Sequence, residues 1–497
     1  MWGPNGAIYK EEGEEKDPRL VYEHRLYLMK RMHDAVNGEV IIIRLHLPKD
    51  EIRTFNTTNS TLANAQSLRT ILAKHGVVCG GDRRFNAIFE YLNHALGALQ
   101  YNNKAEEMRN QLGWADKDTK FILGDKEYTK TETFHSPPSS ATKKTAGFMQ
   151  PAGTLEKWKE VFDLYGRPGL EPHAFAALTA FGSPLFKFTG HKGAVINVIH
   201  PTSGTGKSTI LRMANSVYGD PDGLCYPSND TVNSRIHKFG VHNNIHNCID
   251  EITNMAPYKF SDLAYAITGG TGKDRMKAST NELRENFATW QSLTVCSSNS
   301  SFYEKLCTIK QNPDGERMRV FEYKIEKVPA ISTEEGAQYF DDQLMANYGT
   351  FGPLYIDWLV KNKDTGVGYL KDAMAKVGRD CEFTSRERFW LGAIASNMAG
   401  GLIVARHLNG CSWNLKRIYD WVVEEAKTLK SESAPQGLNP SGVIGEYVIN
   451  NMQNMLVING AADKRSSMAP VPIREPRGAL HIRFEPDTNK LCLVVNP

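Results

Sequence analysis

Residues 193–219 constrain the fold of this chain more than any other stretch. Gly193-Ala-Val-Ile-Asn-Val-Ile-His200 has the nearly unbroken apolar character of a strand buried on both faces. It runs into Pro201-Thr-Ser-Gly-Thr-Gly-Lys-Ser-Thr209 and then into a helical pattern with apolar residues at 210, 211, 213, 214, 217 and 218. Gly219-Asp-Pro221 supplies the stop. Strand, glycine loop and helix in this order are the context a P-loop requires. Successive N–H groups of Gly204, Thr205, Gly206 and Lys207 can wrap a β-phosphate at the positive end of the helix dipole, with Ser203, Ser208 and Thr209 completing the nucleotide-binding set. Lys207 would reach the β- and γ-phosphates, and Ser208 would ligate Mg²⁺. The usual first glycine of the motif is Pro201, a departure from the common pattern.

A phosphate cradle needs acids on a neighbouring strand. Asn244-Ile-His-Asn-Cys-Ile-Asp250-Glu251 offers them: Asp250 to hold the metal through water, Glu251 to take a proton from the attacking water. The segment is unusually polar, and His246 reads as a hydrogen-bonded structural residue rather than a metal ligand. Ser292-Leu-Thr-Val-Cys-Ser-Ser-Asn299 is a second buried strand. Asn299 at its end would sense the γ-phosphate and help place the lytic water. Arg317 and Arg319 lead directly into Val-Phe-Glu-Tyr-Lys-Ile, as an arginine finger offered to a neighbouring subunit would, with Arg319 the first choice. Between the acids and Asn299 lies Gly269-Gly-Thr-Gly-Lys273-Asp-Arg275-Met-Lys277. Asp274 stands where a metal-binding hydroxyl would be needed, so this is no second nucleotide loop. Lys273, Arg275 and Lys277 suit a strand or hairpin that meets DNA phosphates in a central pore.

Length and composition limit the setting. A chain of 497 residues exceeds one core, and at roughly 150 residues per domain about three are expected. The pattern divides into an α/β accessory region at 1–150, an ATPase core at 151–330, a helical lid-like region at 331–432 and a winged-helix-like region at 433–497, which reads as incomplete. His135 to Thr145, rich in Pro, Ser and Lys, reads as a linker or exposed loop, and so does the stretch after Ser431. A small-residue helix is expected from His173 to Phe181, before Gly182-Ser183-Pro184. The eight cysteines show no C-x-x-C pair, so neither a zinc ribbon nor a disulfide framework is supported. No run of about 18 apolar residues stands out as a membrane span. The polar, acidic N-terminus lacks a signal pattern, so a cytoplasmic location is expected. A net charge of +3 says little about nucleic acid; any DNA contact must come from a local cluster.

The order of parts is similar to that of superfamily 3 replicative helicases of viruses and phages. More closely, Tyr165-Gly-Arg-Pro-Gly-Leu-Glu-Pro-His-Ala-Phe-Ala-Ala-Leu-Thr-Ala-Phe-Gly-Ser-Pro-Leu185 before the glycine loop, and Asn347-Tyr-Gly-Thr-Phe-Gly352 after it, resemble the domain-of-unknown-function 927 family of phage primase/helicase-like proteins. The resemblance covers roughly residues 110–410. It implies an α/β, AAA+-like ATPase with a mostly parallel central sheet, driven by ATP with Mg²⁺ and assembled as a homo-oligomeric ring, a hexamer. It further implies single-stranded DNA as partner, a primase or other replication proteins alongside, and the cytoplasm of a bacterial host. Two function classes follow: a translocating DNA helicase, and a non-translocating ATPase switch such as a loader or a regulatory or defence factor. The cationic excursion favours the first.

Overall fold

The computed structural model describes the chain except residues 1–2, 4–5, 12–16, 35–36, 51, 228, 253–254, 273–274, 277–282, 285–288, 311–312, 329–333, 434–439, 459–471, 487–488 and 494–497. At 275–276, 283–284, 334–335, 337, 440–443, 446 and 493 only the backbone is described. Two compact units are resolved, Met1–Lys427 and Thr428–Pro497.

The centre of the first unit is a five-stranded, wholly parallel sheet. Its strands are β1 (Gly193–Ile199), β2 (Cys225–Tyr226), β3 (Asn247–Ile249), β4 (Ser292–Ser298) and β5 (Val320–Lys324), in the spatial order β2-β3-β4-β1-β5. All seven residues of β1 and all seven of β4 are buried, as expected of strands covered on both faces. The chain order reverses at β1, which lies between β4 and β5. In open α/β sheets that switch point is where a crevice forms beyond the carboxyl ends of the strands.

Helices flank the sheet: α1 (Thr179–Phe186), α2 (Lys207–Ser216), α3 (Val232–His242), α4 (Pro257–Gly269) and α5 (Arg388–His407). The helix expected over His173–Phe181 is instead two, Glu171–Ala177 and α1, which runs through Pro184 to Phe186. Proline removes the hydrogen bond to the carbonyl four residues back. Here the Tyr218 hydroxyl donates to that carbonyl, Ala180 O, at 2.9 Å, so the orphaned acceptor is satisfied. Helix α5 crosses α1 closely: a Cβ at Gly182 would meet Asn397, and one at Gly400 would meet the Phe181 backbone. Helix α5 is long and apolar enough to cross a membrane, a run the sequence reading passed over. Its apolar residues are packed inside the protein against α1 and β1, which accounts for its composition.

The motif around 347–352 closes the far end of α2. The Gly349 N–H donates to Ser216 O at 2.7 Å and the Gly352 N–H to Val217 O at 2.8 Å, satisfying carbonyls that a helix end leaves open. Gly349 has φ +68°, and a Cβ at Gly352 would lie 2.5 Å from both the Tyr218 ring and Val217 O.

Before the core lies a separate four-stranded sheet, ordered Arg53–Thr58, Gly38–His46, Arg25–Asp34, Glu106–Glu107, with helices Ala65–Lys74 and Asp82–Asn102 on one face. Its helix-facing core includes Leu26, Leu28, Ile43, Leu45, Phe55, Leu72, Ile88 and Leu92. The segment after His135 is anchored rather than exposed, another correction: Ser139 and Thr142 are buried, and the Ser140 N–H donates to the buried Asp34 carboxylate at 3.0 Å. In the second unit, Pro440–Asn450 is helical and three short strands, Met455–Val457, Ile482–Glu485 and Lys490–Leu493, form one sheet. The expected linker after Ser431 falls largely on 434–439, outside the described residues.

Candidate functional site

The predicted loop leaves the carboxyl end of β1 and enters α2 at the switch point. Gly204 and Gly206 take φ of +72° and +88°, values that favour glycine. Among the described residues nothing lies within 4 Å of a Cβ built on Gly204, so that side of the loop is open. Ser203 and Gly204 are exposed, Thr205 is buried, and Thr209 is half-buried. The first N–H groups of α2 have no acceptor within the helix and face outward along its axis. Lys207, at the first turn, is buried, and its ammonium donates to His200 O at 2.9 Å and Thr202 O at 2.8 Å. A buried ammonium needs acceptors, and the loop's own carbonyls supply them. Burial holds its pKa below the ordinary lysine value, while Glu251 and Asp250 pull the other way.

Two further strand ends meet this loop. Register sets Ile249 of β3 beside Cys296 of β4, so the following residues, Asp250 and Ser297, lie side by side. The Ser208 hydroxyl donates to the Asp250 carboxylate at 3.2 and 3.1 Å, and the Ser297 hydroxyl donates to Asp250 Oδ1 from the other side. Ser297 Oγ also accepts from the Glu251 N–H at 2.8 Å. Glu251 has φ +49°, a left-handed backbone that costs a non-glycine residue about 1 kcal/mol or more. Its carboxylate is held by Asn299, whose Nδ2 donates to Oε2 at 2.7 Å, while the buried Oε1 has no hydrogen-bond partner among the described residues. Ser208, Asp250, Ser297, Glu251 and Asn299 therefore form one connected polar chain. Its oxygens are hard donors of the type that suits Mg²⁺.

Ser297 was not singled out from sequence, and neither was Glu322. The latter is a buried carboxylate on β5 whose pKa burial raises. It accepts from Asn197 Nδ2 of β1 and from the Phe302 N–H, both at 2.7 Å, and from the Ser301 hydroxyl. It thereby fixes the turn that follows Asn299. His173 lies under the loop, its Nε2 3.4 Å from Thr205 O, and burial lowers its pKa to about 4.

Lateral pairing accounts for most of the polar approach to Asp250. His246 Nε2 lies 3.0 Å from Asn215 Oδ1, Asn247 Oδ1 accepts from the Tyr226 hydroxyl at 2.6 Å, and Asn247 Nδ2 donates to Ser292 Oγ at 3.0 Å. His246 is thus the structural residue expected.

The arginines sit elsewhere. The Val195 N–H donates to Arg319 O, which puts Arg319 at the amino end of β5, about 13 Å along the sheet from the end of β1. Its guanidinium donates to Thr268 Oγ1 at 3.0 Å and to Gly315 O, and stacks 4.2 Å from the Tyr265 ring centroid. Arg317 stacks 4.2 Å from the Tyr303 ring centroid. Arg319 is thus separated from the glycine loop of its own chain. In the basic excursion, Arg275–Met276 and Leu283–Arg284 pair as an antiparallel hairpin between α4 and β4. Lys273, Lys277 and the Arg275 side chain lie outside the described residues.

The sequence profile described as domain of unknown function DUF927 matches residues 4–286, more than half of the chain. No curated protein matches it in sequence. A solved structure named SCCmec type IV Cch, active helicase, is similar in fold, with a TM-score of 0.68 at 18% identity over 95% of this chain and 85% of its own.

Proposed function

The chain belongs to the DUF927 family, and from that premise we propose that it is an ATP-hydrolysing, ring-forming DNA helicase that couples turnover to movement along single-stranded DNA. One observation carries the reading. Ser208 at the head of α2 and Asp250, Glu251, Ser297 and Asn299 at two parallel strand ends join in one hydrogen-bonded chain beside Lys207 and an open glycine loop. The likeness in fold to a protein named as an active helicase supports it.

In this reading the loop from Ser203 to Thr209 binds the polyphosphate, with Lys207 exchanging its loop carbonyls for phosphate oxygens. Ser208 and Asp250 hold Mg²⁺, which when bound neutralises charge on the phosphates. Glu251 accepts the proton of the attacking water, and Asn299 keeps its carboxylate aimed. Arg319, or else Arg317, serves the phosphates of an adjacent subunit in a hexameric ring. Lys273, Arg275 and Lys277 meet the DNA backbone. The setting is phage or mobile-element replication in the host cytoplasm, alongside a primase or other replication proteins.

The test is ATP turnover by the full chain with and without single-stranded DNA, together with strand separation on a forked duplex. Turnover should rise with DNA, and the fork should open only with ATP. Turnover indifferent to DNA, with no unwinding, would overturn the helicase reading in favour of an assembly switch.

A further inference from the structure

The N-terminal sheet turns one face to its helices and the other away from them. Side chains alternate along a strand, so with Leu26, Leu28, Ile43, Leu45 and Phe55 in the helix-facing core, Arg25, Tyr27, Arg44, His46 and Thr54 share the opposite face. Register sets Tyr27 beside Arg44, with Thr54 next in the row, and Arg25 beside His46. Arg25 and Thr54 are exposed, and Tyr27, Arg44 and His46 half-exposed. The Arg25 guanidinium lies 5.3 Å from the Tyr27 ring centroid, and the Tyr27 and His46 rings are 5.7 Å apart. The other half of this face is closed, where Met32, Val40 and Ile42 pack with Met108.

Positively charged side chains gathered on one face of an antiparallel sheet oppose folding. Their mutual effect is visible at His46, whose pKa is lowered by burial and by both Arg25 and Arg44. Among the described residues neither Arg44 nor His46 forms an ion pair, and the Arg44 Nε is buried without a hydrogen-bond partner. Such a cluster is complementary to a polyanion. The aromatic ring between the cations narrows the class: a single strand offers unpaired base faces for stacking, whereas a duplex hides them.

We infer that this face is a docking surface for single-stranded DNA, with Arg44 on a phosphate and a base against Tyr27. It adds a nucleic-acid contact outside the ATPase core and does not depend on the phosphate loop. The test is anisotropy titration of the full chain with a fluorescein-labelled oligothymidylate over a range of salt. Tyr27→Ala should weaken binding about tenfold, the loss of one stacked base. Arg44→Ala should flatten the salt dependence by about one log unit of slope. Tyr27→Phe should bind like the parent, which separates loss of the ring from loss of fold. DNA-independent ATP turnover should be unchanged in all three. The inference falls if Tyr27→Ala binds as tightly as the parent or the parent does not bind. It falls too if only Arg44→Ala matters, because the face is then a general polyanion patch. A defect in the phosphate loop would show instead as lost turnover with oligothymidylate binding intact.

Discussion

Asn299 holds Glu251. The side-chain amide at the end of β4 donates to the carboxylate just beyond β3 at 2.7 Å, and the glutamate backbone is simultaneously bent into a left-handed conformation that the Ser297 hydroxyl secures. A carboxylate fixed at both backbone and side chain is pre-aimed, as a general base must be. Replacing Glu251 with Gln keeps the size and an acceptor oxygen but removes proton uptake. ATP binding should persist while turnover drops at least about a hundredfold. Loss of nucleotide affinity with turnover retained would exclude this role.

Lys207→Ala should abolish turnover, by roughly a hundredfold to a thousandfold, because a positive group preset at the phosphates is lost. The thermal midpoint should change little, since the ammonium's partners are two loop carbonyls rather than core residues. A well-folded variant with ordinary turnover would remove the phosphate-loop assignment.

Ser297→Ala removes one hydroxyl that serves both acids. It leaves the Glu251 N–H without its acceptor and Asp250 with Ser208 alone from this cluster. Stability should fall by about 1–2 kcal/mol, and turnover by more than the nucleotide affinity. Urea unfolding and steady-state kinetics on one preparation would separate the two effects.

Arg319 tests whether the site is shared between subunits. Lys207→Ala and Arg319→Ala should each be inactive alone, yet recover part of the turnover when mixed, because the Lys207→Ala chain can lend its arginine to an intact loop next door. No recovery in mixed assemblies would return Arg319 to its observed local role, bridging Thr268 and Gly315.

Acid should destabilise the core. His173 and His242 have pKa values lowered to about 4 and His246 to about 3, all chiefly by burial. The unfolded chain takes up these protons near pH 6.5 while the folded one does not, so stability is lost as pH falls from 6.5 towards 4. By pH 5 the loss is roughly 2 kcal/mol per histidine. Thermal midpoints measured from pH 7.5 to 5 should fall steeply, and His246→Gln, which can still donate to Asn215, should flatten the curve.

The sequence disclosed the parts of the site that are local. A buried strand, two glycines and GKS within a few residues point to a glycine loop between strand and helix, and one lies there, because that geometry needs nothing distant. Asp250, Glu251 and Asn299 could be placed because each ends a strand of recognisable character. Ser297 and Glu322 stayed hidden because their roles arise from register: one serine of several lies beside Asp250, and one strand glutamate points inward to Asn197. Pro184 misled for a related reason, since the donor that rescues its helix, Tyr218, comes from another element. The polarity of 246–247 looked like a flaw in a buried strand until its lateral partners were known.

Helix α2 is a rod of ten residues, about 15 Å long, with the glycine loop at its head and the Gly349–Gly352 corner bonded to the last carbonyls at its tail. A rod seated at its tail cannot absorb a push at its head by sliding freely. The 347–352 corner that bears on this end leads directly into the helix that starts at Gly352. The two glycines thus work as a thrust bearing: they let the backbone sit hard against the helix end, and a side chain at either would leave play in the linkage.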